Sequence, residues 1–130
     1  MDLTQSMYGE RYDYRVDILA RRNRVVARHG DVVLAETSRP LLVDEQDHGL
    51  VFYFPREDVR LEALQPTDTV TYCPFKGKAS HWALTAGGED VAWSYEDPYP
   101  EVGRLAGCIA FYQDRVDVSV GVAARRLPKS

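Results

Sequence analysis

Twelve consecutive residues bring several kinds of reactive side chain together: Thr71-Tyr72-Cys73-Pro74-Phe75-Lys76-Gly77-Lys78-Ala79-Ser80-His81-Trp82. A thiol, two ammonium groups, an imidazole and three large aromatics are more chemistry than a purely structural strand requires. Cys73 is the candidate catalytic residue. As a thiolate it is a strong nucleophile, and a nearby ammonium from Lys76 or Lys78 favours that form. His81 is the candidate base. The competing reading makes Cys73 a small buried apolar residue that ends a strand before Pro74.

A second constellation suits binding. Thr37, Arg39, Arg56 and Lys76 each sit at a strand end or beside a proline turn, where a rigid scaffold can hold a polar group. Tyr53, Trp82, Trp93, Tyr95 and Tyr112 supply apolar walls with polar tips. The expectation is one concave site for a small anionic or polar organic molecule. Arg39 and Lys76 carry the charge, Tyr53 and Tyr112 form walls, Thr37, Arg56, Trp82 and Tyr95 contribute, and Cys73 lies in or beside the site. The plainer alternative leaves the arginines in solvent and the aromatics in the core.

Other chemistries lack their motifs. Metal ligands normally come in close pairs, and Cys73 and Cys108 lie far apart in sequence. No structural zinc and no cofactor is expected. Gly77-Lys78-Ala79-Ser80 fails as a phosphate loop, because Tyr72 stands where the upstream glycine belongs and the serine comes one residue late. Asp44, Glu45 and Asp47 read as a solvated turn.

The elements that must position these residues are short. Tyr14 to Ala20 alternates with period two, as a strand does. Arg24 to Arg28 and Asp31 to Glu36 form a hairpin around His29-Gly30. Leu41 to Val43 and Leu50 to Phe54 are further strands, joined by the polar turn Asp44 to Gly49. Pro55-Arg56-Glu57-Asp58 opens a helix near residues 56–64, with Leu61 and Leu64 on one face and Pro66 ending it. Val70 to Cys73, Ala79 to Leu84 and Val91 to Tyr95 return to strand, with a Gly87-Gly88 turn between the last two. Glu96 to Gly107 is a loop, and Cys108 to Tyr112 and Arg115 to Val120 are the last strands. The result is a mainly β domain with one short helix. It spans residues 14–122, between a flexible arm over 1–13 and a frayed tail over 123–130.

Composition agrees. The 130 residues are 45% hydrophobic and 28% charged, with a net charge of -4, as in ordinary single-domain globular proteins. Nucleic-acid binding is disfavoured because the basic residues are dispersed. No stretch reads as a signal peptide or membrane span. Two cysteines do not make a disulfide framework, so the expected location is cytoplasmic, with both thiols reduced. Exposed aromatics leave open a protein-interaction or homo-oligomerisation role.

Five separated segments then match a family pattern in order: Glu36-Thr37-Ser38-Arg39-Pro40-Leu41-Leu42-Val43; Phe52-Tyr53-Phe54-Pro55-Arg56-Glu57-Asp58-Val59; Thr71 to Gly77 with His81-Trp82; Ala92-Trp93-Ser94-Tyr95; and Gly107 to Val116. Over residues 14–120 the chain resembles the DUF427 family, small proteins of unestablished function. The resemblance implies a fold like the Mss4-like β-tent of short antiparallel strands, and it places Cys73 within a family motif. Cys108 departs from the pattern, where tyrosine or histidine is commoner. The family also carries a nucleotidyltransferase-like label, but the Gly-Ser turn with paired aspartates that such chemistry uses is absent here.

Overall fold

Alternation of side chains along short strands organises the described residues into three antiparallel sheets. The computed structural model describes residues 14–123, Ala123 by its backbone only. The strands are β1 Val16–Ala20, β2 Asn23–His29, β3 Val32–Thr37, β4 Leu41–Glu45, β5 Leu50–Tyr53, β6 Leu64–Cys73, β7 Gly77–Leu84, β8 Asp90–Ser94, β9 Ile109–Phe111 and β10 Asp117–Ala123. The sheets run β1-β4-β5, β10-β2-β3 and β6-β7-β8-β9. The chain is therefore mainly β. The arm expected over residues 1–13 lies outside the described residues, as does the expected tail beyond Ala123, which is itself the last residue of β10.

The expected hairpins form where glycine permits them. Gly30 takes φ +59° between β2 and β3, the left-handed conformation that a Cβ disfavours. Residues Gly87 and Gly88 lie between β7 and β8, whose register runs from Ser80 opposite Ser94 to Ala83 opposite Asp90. Other pairings join strands distant in sequence. β1 pairs with β4, and β10 returns to pair with β2.

The expected helix near residues 56–64 does not form. Two single 3-10 turns, Arg56–Asp58 and Leu61–Ala63, stand there instead. Between them Val59 is extended, with φ -109° and ψ 135°. It bridges to Ala35, and the Arg60 N–H donates to the Leu34 carbonyl at 2.8 Å. These long-range contacts bury Val59 and hold the segment against β3, which outweighs a two-turn helix whose Leu61 faces solvent. Pro66 does not end the segment either. It lies inside β6, an edge strand, where a register irregularity follows it; such sites accept a residue without an N–H. The Glu96 to Gly107 loop contains a further 3-10 segment, Pro100–Leu105, that buries Val102 and Leu105.

Two buried clusters share the β6-β9 sheet. Val25, Leu34, Phe54, Ile109, Phe111 and Val116 belong to the first. Val43, Tyr53, Ala79, Tyr95, Leu105 and Ala110 belong to the second. Ile109 and Phe111 point one way and Ala110 the other, as period-two geometry demands. Phe54 and Ile109 exchange both backbone hydrogen bonds, at 2.8 and 2.9 Å, which locks the end of β5 to β9. The second cluster thereby lies between the β1-β4-β5 sheet and one face of the β6-β9 sheet, and it borders the cavity described next.

Candidate functional site

Five strands converge on one cavity of about 460 Å³. Val43 and Glu45 come from β4, and Val51 and Tyr53 from β5. Their registers, Leu41 opposite Tyr53 and Val43 opposite Val51, put these side chains on one face. Thr71 and Cys73 come from β6, and Ala79 and His81 from β7, paired so that they share the facing surface. Trp93, Tyr95 and Tyr112 complete the wall.

At one end lies a buried ion pair. The Lys76 ammonium donates to Glu45 Oε1, and the Tyr14 hydroxyl donates to Oε2. Glu45 is 5% exposed and Lys76 6%. Burial pushes the Glu45 carboxyl up, but the hydrogen bonds from Lys76 and Tyr14 outweigh it and hold the group below its ordinary value. Burial, then the bond to Glu45, pushes the Tyr14 phenol up. Tyr14 also stacks on Phe75, with ring centroids 3.8 Å apart. Lys76 lies in the turn after β6, and its Nζ sits 3.8 Å from Cys73 Sγ. Gly77 closes this turn at φ +113°, and a Cβ added there would meet the 97–99 backbone at 3.7 Å.

At the other end lies His81, 3% exposed. Its Nε2 is 2.9 Å from Thr71 Oγ1, and its Nδ1 is 3.3 Å from the Tyr112 hydroxyl. Burial lowers the imidazole pKa, against a smaller opposing effect of Asp90, so the ring is neutral near pH 7. A neutral imidazole has one N–H, so one hydroxyl donates to the ring and the other accepts from it. Aromatic contacts order the wall. Trp93 Nε1–H donates to the Tyr53 hydroxyl at 3.1 Å, and Trp93 packs against Tyr112 at 4.7 Å. Burial raises the phenol pKa values of Tyr53 and Tyr95, keeping both hydroxyls neutral.

Of the residues expected at the site, Tyr53, Cys73, Lys76, Tyr95 and Tyr112 all line this cavity. Four others lie elsewhere, each for a visible reason. Arg39 is mostly in solvent and its guanidinium donates to Glu57 at 2.8 Å. It does not converge with Lys76. Thr37 is buried as a local strut: its hydroxyl donates to Asp58 at 2.7 Å and accepts from the Arg39 N–H. Arg56 binds Glu96 at 3.0 Å and the Gly107 carbonyl, and it lies 5.2 Å over the Trp82 ring. Trp82 follows His81 on β7, so it faces the first cluster rather than the cavity. The ring nitrogens of His81 face Thr71 and Tyr112, not Cys73, whose candidate base it is in the sequence.

Glu45 is buried and does not belong to a solvated turn. Its phase is the signal that could have found it: Leu41, Val43 and Glu45 occupy alternate positions, so a strand running to Glu45 points it the same way as Val43. Cys73 and Cys108 are both free thiols. Among the described residues no three His, Cys, Asp or Glu side chains group to hold a metal ion, and no helix is long and apolar enough to cross a membrane. A second, open groove of about 680 Å³ lies by the β6-β7 turn, lined by Tyr72, Lys78, Ser80, Asp97 and Tyr99 among others.

No curated protein matches the chain. A family model described as a domain of unknown function, DUF427, matches residues 17–121, a span that includes every strand lining the cavity. The chain belongs to the DUF427 family.

Proposed function

We propose that this domain binds a small, polar, uncharged organic molecule with a flat apolar part in the cavity between the β1-β4-β5 and β6-β9 sheets. The observation that carries the reading is the Glu45–Lys76 pair. Lys76 is the one ammonium among the described residues that line the cavity, and its charge is already matched by a carboxylate. An anion would have to compete with Glu45, so the polar arm of the expected ligand class is favoured over the anionic one. The walls are aromatic, with neutral hydroxyl tips on Tyr53, Tyr95 and Tyr112. The volume falls within the range of about 300–1,000 Å³ usual for small-molecule sites.

Benzamide, benzoate and benzylammonium make a matched probe set, read by saturation-transfer NMR. Trp93 fluorescence in a Trp82→Phe background reports the site. Benzamide is expected to bind at millimolar concentration and to perturb Trp93, and Val51→Phe, which narrows the cavity without adding a tryptophan, is expected to abolish both signals. Preference for benzoate, or no binding by any probe, overturns the reading.

A second reading rests on the 3.8 Å approach of Lys76 Nζ to Cys73 Sγ. It makes Cys73 a nucleophile toward the bound molecule. Rapid alkylation of Cys73 by iodoacetamide in a Cys108→Ser variant at neutral pH, slowed by Lys76→Met, supports it. No reaction before unfolding removes it.

A further inference from the structure

Among the described residues, β6 is an open edge of the four-stranded sheet. β6 pairs with β7 on one side and has no neighbouring strand on the other among the described residues. Its first half is blunted by Pro66, Asp68 and the register irregularity before Val70, devices that discourage edge pairing. Its second half has none. Val70 to Cys73 pairs regularly with β7, carries no charge and no proline, and exposes Val70 to 44% and Tyr72 to 53%. An edge strand leaves the N–H and C=O groups of alternate residues unpaired, and a second strand satisfies them. The β10 edge also exposes apolar residues, Val120 and Val122. Yet it starts at Asp117, and its register shifts after Val120.

The residues of β6 specify what fits. Val70 and Tyr72 lie on one face of the sheet, Thr71 and Cys73 on the other. A two-fold axis at Thr71, perpendicular to the sheet, pairs two copies antiparallel. It sets Thr71 opposite the partner's Thr71, Val70 opposite the partner's Tyr72, and Tyr72 opposite the partner's Val70. These are a Thr–Thr pair and two aromatic–β-branched pairs, the combinations that stabilise antiparallel sheets. Moving the axis to Val70 would set Asp68 against Tyr72. Moving it to Tyr72 would set Val70 against Pro74, which cannot donate to a ladder. With the axis at Thr71, Pro74 meets Asp68 at the outer end and stops the pairing there.

We propose that two copies of this chain associate through antiparallel pairing of β6 about Thr71, forming one continuous eight-stranded sheet. The association is independent of what the cavity binds. It also extends the cavity mouth, since Thr71 and Cys73 line the cavity and the partner's Thr69 would stand opposite Cys73. Because the regular ladder is short, the dimer is reversible and concentration-dependent.

Sedimentation velocity over a concentration series tests it on the full chain. Wild type is expected to dimerise. Val70→Glu and Tyr72→Lys are each expected to weaken dimerisation by roughly tenfold or more, because symmetry applies each change twice and brings like charges near the axis. Both sites are exposed, so an unchanged far-ultraviolet circular dichroism spectrum and an unchanged cooperative melt verify folding. An equimolar mixture of the two variants is the decisive arm. In the heterodimer the glutamate introduced at position 70 of one chain meets the lysine introduced at position 72 of the other. The second pair keeps its tyrosine and valine, so dimerisation is restored. Wild type that stays monomeric at all concentrations overturns the proposal. So does a dimer that survives both substitutions, or one that both disrupt and mixing fails to restore.

Discussion

The Glu45–Lys76 pair is the most demanding feature at the level of single side chains. Both groups are buried, and removing one strands the other away from water. Glu45→Gln or Lys76→Met is therefore expected to cost about 3–5 kcal/mol. The double variant Glu45→Leu/Lys76→Met is expected to be more stable than either single one, because no charge is left uncompensated. Urea denaturation of the three variants checks this, and a double variant as unstable as the sum of the singles refutes it. His81 gives a pH prediction. Its folded pKa lies below its unfolded value, so the unfolded state takes up the proton first on acidification. The stability it contributes is complete above the ordinary imidazole value of about 6.5 and is lost as pH falls from there toward the lowered folded value. Between about pH 7 and pH 5, the melting temperature of wild type is expected to fall more steeply than that of His81→Gln. Parallel curves would show that His81 does not carry the dependence. Glu45 acts in the same direction at lower pH, because its carboxyl is also held below its ordinary value.

The β6-β7 turn is the element on which the site depends. It carries Cys73 and Lys76, and it closes through Gly77 at φ +113° with the 97–99 backbone packed beside it. A side chain at that φ is strained whatever the space, at an expected cost of about 1–3 kcal/mol for Gly77→Ala. Gly30→Ala has open space around it and a milder φ of +59°, and about 1 kcal/mol is expected. Comparing the two by denaturant midpoint separates a tight functional turn from an ordinary one, and equal losses would contradict the assignment. The hairpins and most strands are legible because alternation and glycine are local signals. The segment over residues 56–64 is not. Pro55 and the adjacent acids are sound helix-start signals, but Val59 is claimed by β3 from more than twenty residues away. Pro66 reads as a stop because local rules cannot reveal that a strand lies at an edge.

Across the domain, the Phe54–Ile109 bridge makes the sheets interdependent. Phe54 is fully buried and stands edge-on to Phe111, with centroids 5.4 Å apart, while its backbone joins β5 to β9. Phe54→Ala is expected to cost about 3–5 kcal/mol. It is also expected to leave a single unfolding transition, in which tryptophan fluorescence and far-ultraviolet circular dichroism coincide. Two separated transitions would show that the sheets unfold independently.

Some properties of this chain are set by local chemistry and can be read directly. Period-two alternation, turn glycines and dispersed charge are enough for a mainly β domain. The segment order is enough for the family, and the Thr71 to Trp82 run marks the neighbourhood of the cavity. Which polar residues meet is decided only by folding. Arg39 and Lys76 look equivalent in sequence, but Arg39 finds Glu57 in solvent while Lys76 finds Glu45 in the interior. No rule of spacing joins residues 45 and 76. β1 and β5 flank β4, β5 is bridged to β9, and the β6-β7 turn packs beneath them, so the partner of each charge follows from sheet order. Sheet order is a matter of long-range pairing, and a single strand contains no record of the strand it will meet.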